Sequence, residues 1–246
     1  MIRGLYTAAS GLKTSANNID VVGNNITNSS TFGFKKDGVV NGSFDQYMTY
    51  KIGNDPIEDI GGMTYGVTLE DVYTQYEQGA FKQTGNALDF AIEGNGFFTV
   101  QTADGQKKLT RNGQFFLDQN GYLTDAAGNM VLDNAGPIKV GNCDISVSQT
   151  GEIFADGESV GQLLITCPAD LSTLVKQEGT LFSYNGGQTT AFQGIIRQGV
   201  LESSNVDITD EMTELMAYSR SYQSCSQIIK MIDQITEKAV NEIARL

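Results

Sequence analysis

The sequence predicts an α+β protein whose long N- and C-terminal helices pair as a coiled-coil-like core, with a central, mainly antiparallel β domain between them along the chain. Three observations lead to this prediction. Apolar residues recur at alternating steps of four and three over residues 2–26 and again over residues 208–245, which is the rhythm of a helical seam. Between these stretches, short apolar runs are separated by turn-forming dipeptides, which is typical of short β-strands.

The C-terminal stretch has the features of one uninterrupted helix. Residues 208–245 contain neither Pro nor Gly, the two residues that most weaken a helix interior. Acidic residues gather at its start and basic residues near its end, which suits the helix dipole. Its seam consists of Ile208, Glu211, Leu215, Tyr218, Tyr222, Cys225, Ile229, Ile232, Thr236, Ala239 and Ile243, widened into a stripe by Met212, Met216, Ile228 and Ile235. Such a stripe needs a partner that covers it.

The N-terminal stretch repeats the same rhythm and supplies a candidate partner. Its predicted seam consists of Ile2, Leu5, Ala9, Leu12, Ala16, Ile19, Gly23 and Ile26. The helix should end near residues 24–30, because a run rich in Asn, Ser and Thr favours caps and turns. The periodicity alone is equally compatible with two ordinary core helices of a globular domain.

The centre of the chain has the pattern of a β domain. Short apolar runs recur at intervals of about ten residues, and the Asp-Gly and Asn-Gly dipeptides between them supply the positive φ angles of tight hairpins. Turns are predicted at residues 104–105, 112–113, 120–121, 128–129 and 156–157. Strands are predicted at residues 90–92, 97–100, 115–117, 122–123, 130–132, 138–140, 145–147, 153–155, 160–166 and 195–201.

The chain is accordingly predicted to divide into four parts. These are an N-terminal helix at residues 1–32, an extended or loop-like segment at 33–84 with a strand at 67–76, the β domain at 85–200 and the C-terminal helix at 201–246.

Composition and residue types exclude several classes of function. The chain has 29 acidic and 16 basic residues and a formal net charge of -13, which argues against binding to nucleic acid or anionic lipid. It has no histidine, which excludes Ser-His-Asp and Cys-His catalysis and the usual zinc enzymes. Its three cysteines, Cys143, Cys167 and Cys225, form neither a CxxC pair nor a disulfide framework.

Motifs for cofactors, metals and membranes are equally weak. The run GNGFFT at residues 94–99 lacks the third glycine of a dinucleotide-binding loop, and residues 118–125 lack the acidic spacing of an EF-hand. No apolar run reaches membrane-spanning length, and the N-terminus lacks the continuous apolar core of a secretory signal peptide. We therefore expect no cofactor, no metal site, no catalytic residue and no membrane insertion, and either a cytosolic protein or export by a route that uses no such signal.

Several stretches resemble the bacterial flagellar rod and hook proteins, in the same order as in that family. The run GNNITNSSTFGFKK at residues 23–36 is similar to the family signature NNxxNxxTxGFK. Three further runs resemble the opening of the family's central domain: LDFAIEGNGFF at 88–98, LTRNGQF at 109–115 and DQNGYL at 118–123. The start of its C-terminal helix is resembled by SNVDI at 204–208, followed by RSY at 220–222.

The resemblance implies a structural subunit of the flagellar axial structure, in the rod rather than the hook because the β region has no large insertion. It implies assembly with copies of the chain and with other rod and hook proteins. It also implies export through the flagellar type III apparatus, without a cleavable signal peptide, to the basal body in the cell envelope. Both the proximal and the distal rod type remain open, and the short segment 37–80 favours the proximal type.

The apolar seams and the resemblance together predict the subunit interface. A heterologous contact that does not close extends into a helical tube, so neighbouring copies would bury the seams of both chain ends. The predicted interface residues are Leu5, Leu12, Ile19, Asn25, Ile26, Leu215, Tyr222, Ile229 and Ile232. Each apolar member is also compatible with a core position within one chain, and Asn25 with a turn former.

Three other functions remain open from the sequence. The first is a hook-type axial subunit. The second is a secreted β-domain glycan-binding module or hydrolase, which predicts a monomer with a concave polar pocket whose activity survives deletion of residues 1–30. The third is an adhesin stalk formed by a homotypic coiled coil, which the shortness of both seams disfavours.

Overall fold

A computed structural model describes residues 2–44, 47–51, 58–63, 66–141, 143, 145–177, 179–184 and 186–243. The chain divides into two compact units. Unit 1 comprises Met1–Thr27, Asp37–Tyr73 and Asp207–Leu246, and unit 2 comprises Asn28–Lys36 and Thr74–Val206. The predicted α+β class is confirmed, because one helix lies at each end of the chain and the strands between them pair mainly in antiparallel ladders.

Both helices belong to unit 1. α1 spans Ile2–Thr27 and α2 spans Ile208–Ile243, in agreement with the two stretches that the periodicity predicts. The end of α1 falls within the predicted range of 24–30. Asp207 caps α2, because its carboxylate accepts a hydrogen bond from the N–H of Thr209 at 2.8 Å.

Four strands follow α1: β1 (Asp37–Ser43), β2 (Tyr47–Lys51), β3 (Glu58–Met63) and β4 (Val67–Thr74). β1 pairs with β4, and β2 pairs with β3 in an antiparallel ladder. β4 confirms the strand that is predicted at residues 67–76. β1, β2 and β3 lie in the segment that is predicted to be extended or loop-like. The sequence does not predict them as strands because frequent Gly, Asn and Asp residues there break the alternation that marks a strand.

Unit 2 contains the remaining strands, which are short. They are β5 (Phe81–Gln83), β6 (Phe90–Glu93), β7 (Phe97–Gln101), β8 (Lys107–Thr110), β9 (Phe116–Leu117), β10 (Leu123–Thr124), β11 (Met130–Val131), β12 (Ile145–Val147), β13 (Glu152–Ala155), β14 (Glu158–Gln162), β15 (Ile165–Pro168), β16 (Leu174–Lys176), β17 (Leu181–Tyr184), β18 (Thr189–Thr190), β19 (Ile195–Gln198) and β20 (Val200–Glu202). A short 3-10 helix, Leu171–Thr173, precedes β16.

Most of these strands form one nine-stranded sheet. Its main path runs in the order β16-β17-β8-β7-β11-β10-β9, and β15 joins it by pairing with β7 and with β18. β12, β13 and β14 form a separate three-stranded antiparallel sheet. The last two strands of the unit pair with its first two, β19 with β6 and β20 with β5, so the two ends of this part of the chain are held together.

The strand predictions differ from the structure in three places. Within residues 138–140 only Lys139 pairs, in an isolated bridge with Tyr122. The run 160–166 is divided between β14 and β15, and the run 195–201 is divided by Gly199, whose φ of 73° lies in the left-handed region. No strand prediction covers β5, β8, β16, β17 and β18, which have too few apolar residues to give a clear strand pattern.

The core of unit 2 consists of two apolar clusters on opposite sides of β7. Side chains alternate across a strand, so Phe98 packs into the larger cluster and Phe97 into the smaller one. The ring of Phe98 meets Phe115 edge-on with centroids 5.3 Å apart, and the ring of Phe97 meets Phe182 at 5.6 Å. A strand that is buried on both faces reads as a continuous apolar run, which explains the adjacent phenylalanines.

Two predicted turns use glycine in different ways. Asp156 and Gly157 join β13 to β14 with φ angles of 52° and 87°, as a tight hairpin requires. Gly113, in contrast, is not among the glycines with positive φ, so the prediction for that turn is wrong. A Cβ atom at Gly113 would lie 1.7 Å from the carbonyl oxygen of Phe90, so glycine is needed there for the close approach of two backbone segments.

Candidate functional site on the terminal helices

The face of α1 that lies against α2 is built from small and polar side chains. We define this small-residue face as Gly4, Ala8, Gly11, Ser15, Asn18, Val22 and Asn25, which recur at steps of four and three. A Cβ atom at Gly4 would lie 3.7 Å from Cδ1 of Ile232, and one at Gly11 would lie 3.2 Å from Sγ of Cys225. From Gly4 to Gly11 the chain advances seven residues along α1, while the contacted residue moves back seven residues along α2, from Ile232 to Cys225. The two helices therefore run antiparallel.

Two polar contacts continue the same register. Oγ of Ser15 lies 3.3 Å from Oγ of Ser221. Nδ2 of Asn25 donates a hydrogen bond to Oε2 of Glu211 at 3.1 Å. A ten-residue step along α1 again matches a ten-residue step back along α2, so one register accounts for all four contacts.

The predicted aliphatic seam of α1 lies one residue to the side of this face. We call Leu5, Leu12, Ile19 and Ile26 the aliphatic stripe of α1, and all four are only partly buried. The expectation that this seam itself faces α2 is therefore wrong by one position. Helix axes approach most closely where the contacting side chains are small, so glycine, alanine and serine occupy the contact and the larger residues remain at its edge.

α2 leaves much of its apolar surface uncovered. Eight large apolar residues along it are between 37% and 60% exposed, although burial of such side chains is the main favourable term in folding and association. We call them the exposed stripe of α2: Ile208, Met212, Met216, Tyr222, Ile228, Met231, Ile235 and Val240.

The nine predicted interface residues therefore lie in three kinds of environment. Tyr222 is part of the exposed stripe, and Asn25 is buried within the chain. The other seven are partly buried: Leu5, Leu12, Ile19, Ile26, Leu215, Ile229 and Ile232. Partial burial leaves these seven with apolar surface that a second molecule can cover.

The close helix contact yields a prediction with an internal control. Gly11→Leu is expected to destabilise unit 1 by about 1–3 kcal/mol, because the new side chain overpacks against Cys225. Gly23→Leu is expected to be neutral or stabilising by up to about 1 kcal/mol, since nothing lies within 4 Å of a Cβ atom at that position and leucine favours a helix more than glycine does. Thermal unfolding followed by circular dichroism at the helix band compares the two variants, and equal effects would contradict the described register.

The signature segment that follows α1 packs inside unit 2. The N–H of Gly33 donates to the carbonyl of Glu202 at 2.8 Å, and a Cβ atom at Gly33 would lie 2.3 Å from the backbone nitrogen of Asn112. Phe34 is buried, and Nζ of Lys176 lies 3.9 Å from the centre of its ring. The glycine and the phenylalanine of the signature are thus each required by a specific packing contact.

The lysine of the signature belongs to a buried triad of charges, Lys35, Glu202 and Arg111. The side chains of these residues are 1%, 1% and 5% exposed. Nζ of Lys35 lies 2.5 Å from Oε1 of Glu202, and Nη1 of Arg111 lies 3.2 Å from Oε2. One carboxylate therefore serves two cations, and burial of such a group requires that each charge be paired and hydrogen-bonded.

Backbone carbonyls accept further hydrogen bonds from the triad, although Nε of Arg111 is buried without a hydrogen-bond partner. Lys35 donates to the carbonyl of Glu77 at 2.6 Å, and Arg111 donates to that of Gly94 at 2.7 Å. Burial lowers the pKa of Lys35 and of Arg111 from their ordinary values, although the charge of Glu202 acts in the opposite direction for both. Because Glu202 is paired with both cations, its removal would leave two buried charges without this counter-charge.

Sequence reasoning did not find this triad, because its members lie far apart along the chain and carry no local pattern. The lysine could have been singled out as part of the signature, but nothing near Glu202 or Arg111 in the sequence marks them as buried. A charged residue is normally expected at the surface.

No group of three or more Cys, Asp or Glu side chains in the part of the chain that the structure describes is placed to hold a metal ion. Neither described helix is both long enough and apolar enough to span a lipid bilayer.

A unit that contains two paired helices and a unit rich in short strands define this chain as a protein of the α+β class. Three family descriptions match this chain. "Flagella basal body rod protein" matches residues 5–35, "Flagellar hook protein FlgE/F/G D1 domain" matches residues 91–155, and "Flagellar basal body rod FlgEFG protein C-terminal" matches residues 197–242.

Relatives match over nearly the whole length. The flagellar basal-body rod protein FlgG of Bacillus subtilis is 36% identical, over 98% of this chain and 99% of the relative. FlgF, the basal-body rod protein of Caulobacter vibrioides, is 34% identical over 100% of this chain and 98% of its own length. FlgG of Borreliella burgdorferi is 29% identical, over 98% of both chains. This chain belongs to the flagellar basal-body rod protein family, and its role is that of a structural subunit.

Proposed function

We propose that this chain polymerises through its terminal helices, with copies of itself and with other flagellar rod and hook proteins, to form part of the hollow rod of the flagellar basal body. The observation that carries this proposal is the exposed stripe of α2. α1 covers only part of α2 within the chain and leaves these eight side chains exposed, so a second molecule is needed to cover them.

The energy available from such contacts is large. Full burial of a Leu, Ile or Met side chain contributes about 1.5–3 kcal/mol, so a side chain that is half exposed still offers about 1 kcal/mol when a neighbour covers it. Eight such residues lie on α2, and the aliphatic stripe of α1 adds four that are partly covered. Their combined burial would supply the driving force for assembly.

The proposed contact is heterologous, because different surfaces of neighbouring copies meet. A heterologous contact that does not close generates an open helical assembly, which is the geometry of a tube. In this proposal the helices of adjacent copies pack in a coiled-coil-like manner. The interface includes Leu5, Leu12, Ile19, Ile26, Leu215, Tyr222, Ile229 and Ile232, while Asn25 acts within the chain.

We propose no enzymatic activity for this chain. The side chains that line a groove in unit 2 support this, because they are poorly suited to catalysis. The groove has a volume of about 700 Å³ and is lined by Glu93 and Cys167 among neutral residues. The Glu93 carboxylate is engaged by Arg197 at 2.7 Å. Burial raises the pKa of the Cys167 thiol above its ordinary value, so the thiolate needed for nucleophilic chemistry is disfavoured.

The subunit would reach the basal body in the cell envelope through the flagellar type III export apparatus, in an unfolded state. The net charge of -13 supports protein partners rather than nucleic acid, because anionic surfaces repel the phosphate backbone.

Thiol labelling of an assembled rod tests the proposal. Met231→Cys places a thiol on the exposed stripe, and Asp104→Cys places one at the exposed turn between β7 and β8. In the purified chain both thiols should react readily with a maleimide. In isolated basal bodies Cys at position 231 should become protected, because neighbouring helices cover it, while Cys at position 104 remains reactive. Equal labelling of both positions before and after assembly would contradict the proposed interface.

A further inference from the structure

A carboxylate of α2 is buried. Among the side chains of α2 that the structure describes, only Glu211 is buried, at 0% exposure, while its neighbour Met212 is 51% exposed. A carboxylate is costly to bury, so its presence at the contact, where an apolar residue would pack more favourably, requires a reason.

One partner of Glu211 is a second buried polar residue, Asn25, which takes part in three hydrogen bonds. Asn25 is 1% exposed, and its Nδ2 donates to Oε2 of Glu211 at 3.1 Å and to the carbonyl of Asp37 at 2.8 Å. Its Oδ1 accepts a hydrogen bond from the N–H of Asp37 at 3.0 Å. Both backbone groups of Asp37 thus orient the amide, and the amide presents its donor to Glu211 in one direction.

We propose that the hydrogen bond between Asn25 and Glu211 sets the register of α1 against α2, and so fixes how the exposed stripe and the aliphatic stripe are presented to a neighbouring copy. The use of that surface in assembly rests on the proposed function. The register itself is a property of the single chain.

The other contacts between the helices discriminate poorly between registers. Gly4, Ala8 and Gly11 are similar in size, so the small-residue face accepts α2 at several offsets. A slip of one helical turn would place Glu211 opposite Val22, which offers no hydrogen bond. A buried polar pair is a known device for selecting one helix register at some cost in stability, and Asn25 with Glu211 has the required position.

A slip of two turns is the strongest competitor. It would place Glu211 opposite Asn18, another buried asparagine of the same face. In that register, however, Asn25 would lose Glu211 and Ser15 would lose Ser221. It would also bring Ala8 opposite Ser221, so the two registers are distinguishable by which residue lies across from position 221.

Disulfide trapping in the purified full-length chain tests the proposal. In a Cys225→Ala background, Ser15→Cys with Ser221→Cys reports the observed register, because the two Oγ atoms are 3.3 Å apart and a disulfide forms only between close residues. Ala8→Cys with Ser221→Cys reports the two-turn slip. Peptide mapping after mild oxidation gives the yield of each disulfide, and circular dichroism gives the helix content.

Each of the two cysteine pairs is combined, in separate variants, with one of four further substitutions. Glu211→Leu and Asn25→Ala should lower the yield of the 15–221 disulfide several-fold, and Glu211→Leu should retain helix content because the contact becomes apolar. Glu211→Gln should restore the yield, since its side-chain oxygen still accepts from Asn25. Glu237→Leu, at an exposed position of α2 that lies opposite no residue of the small-residue face in this register, should leave the yield unchanged.

Two outcomes would overturn the proposal. One is a 15–221 disulfide that forms in Glu211→Leu with the yield of the parent chain. The other is loss of helix content together with both disulfides in Glu211→Leu, which would assign Glu211 to folding rather than to register. Neither outcome depends on rod assembly. The proposed function would fail in a different way, if isolated basal bodies did not contain this chain.

Discussion

A strain that carries Ile229→Asp is expected to be non-motile, with a rod that lacks this chain, although the β body of the variant remains folded. Ile229 is partly buried on α2, and in the assembled rod a neighbour would complete its burial. An unpaired charge in a contact that excludes water is destabilising by several kcal/mol, which is comparable to the stability of a whole domain. Swimming in soft agar and immunoblots of isolated basal bodies measure the effect.

The matched control for this variant is Gln227→Asp, an exposed position of the same helix. It introduces the same charge and should permit motility close to that of the parent strain. Leu215→Asp, at a second partly buried position of the seam, should behave like Ile229→Asp. Normal incorporation of both seam variants would contradict assembly through α2.

Glu202→Gln is expected to destabilise unit 2 by about 3–5 kcal/mol, the range for removal of one partner of a buried ion pair. The variant leaves Lys35 and Arg111 buried without a counter-charge. Lys35→Met should cost less, because the carboxylate keeps Arg111 as its partner. Chemical denaturation followed by near-ultraviolet circular dichroism, which reports the tyrosine and phenylalanine packing of the β body, gives the free energy of unfolding.

An exposed ion pair of the same unit provides the control. Arg197 and Glu93 lie 2.6 Å apart, but their side chains are 51% and 41% exposed. Glu93→Gln should therefore change the free energy of unfolding by no more than about 1 kcal/mol. A similar loss in Glu93→Gln and Glu202→Gln would show that burial of the triad has no special energetic role.

The helices and the class of the fold are predictable from the sequence because their signals are local. The four-and-three rhythm, the absence of Pro and Gly from α2, and the hairpin at Asp156 and Gly157 each follow from residues that are close along the chain. The identification of the family also rests on local runs, and the contacts of Gly33, Phe34 and Lys35 give the physical reason for one of them.

The features that the sequence did not predict depend on contacts between distant residues. The small-residue face of α1 was missed because periodicity gives the most weight to Leu and Ile, whereas close packing of two helices favours Gly, Ala and Ser. The triad joins Lys35, Arg111 and Glu202 across most of the chain, and the pair of Asn25 with Glu211 joins its two ends. These residues come into contact only in the folded chain, so no local sequence pattern identifies them as partners.

The most direct test of the central claim is electron microscopy of basal bodies from a strain that lacks this chain, with the same strain complemented by the wild-type chain as reference. If the chain is a rod subunit, the deletion strain should show rods that stop short, and complementation should restore their full length. Complete rods of normal length in the deletion strain would contradict the account.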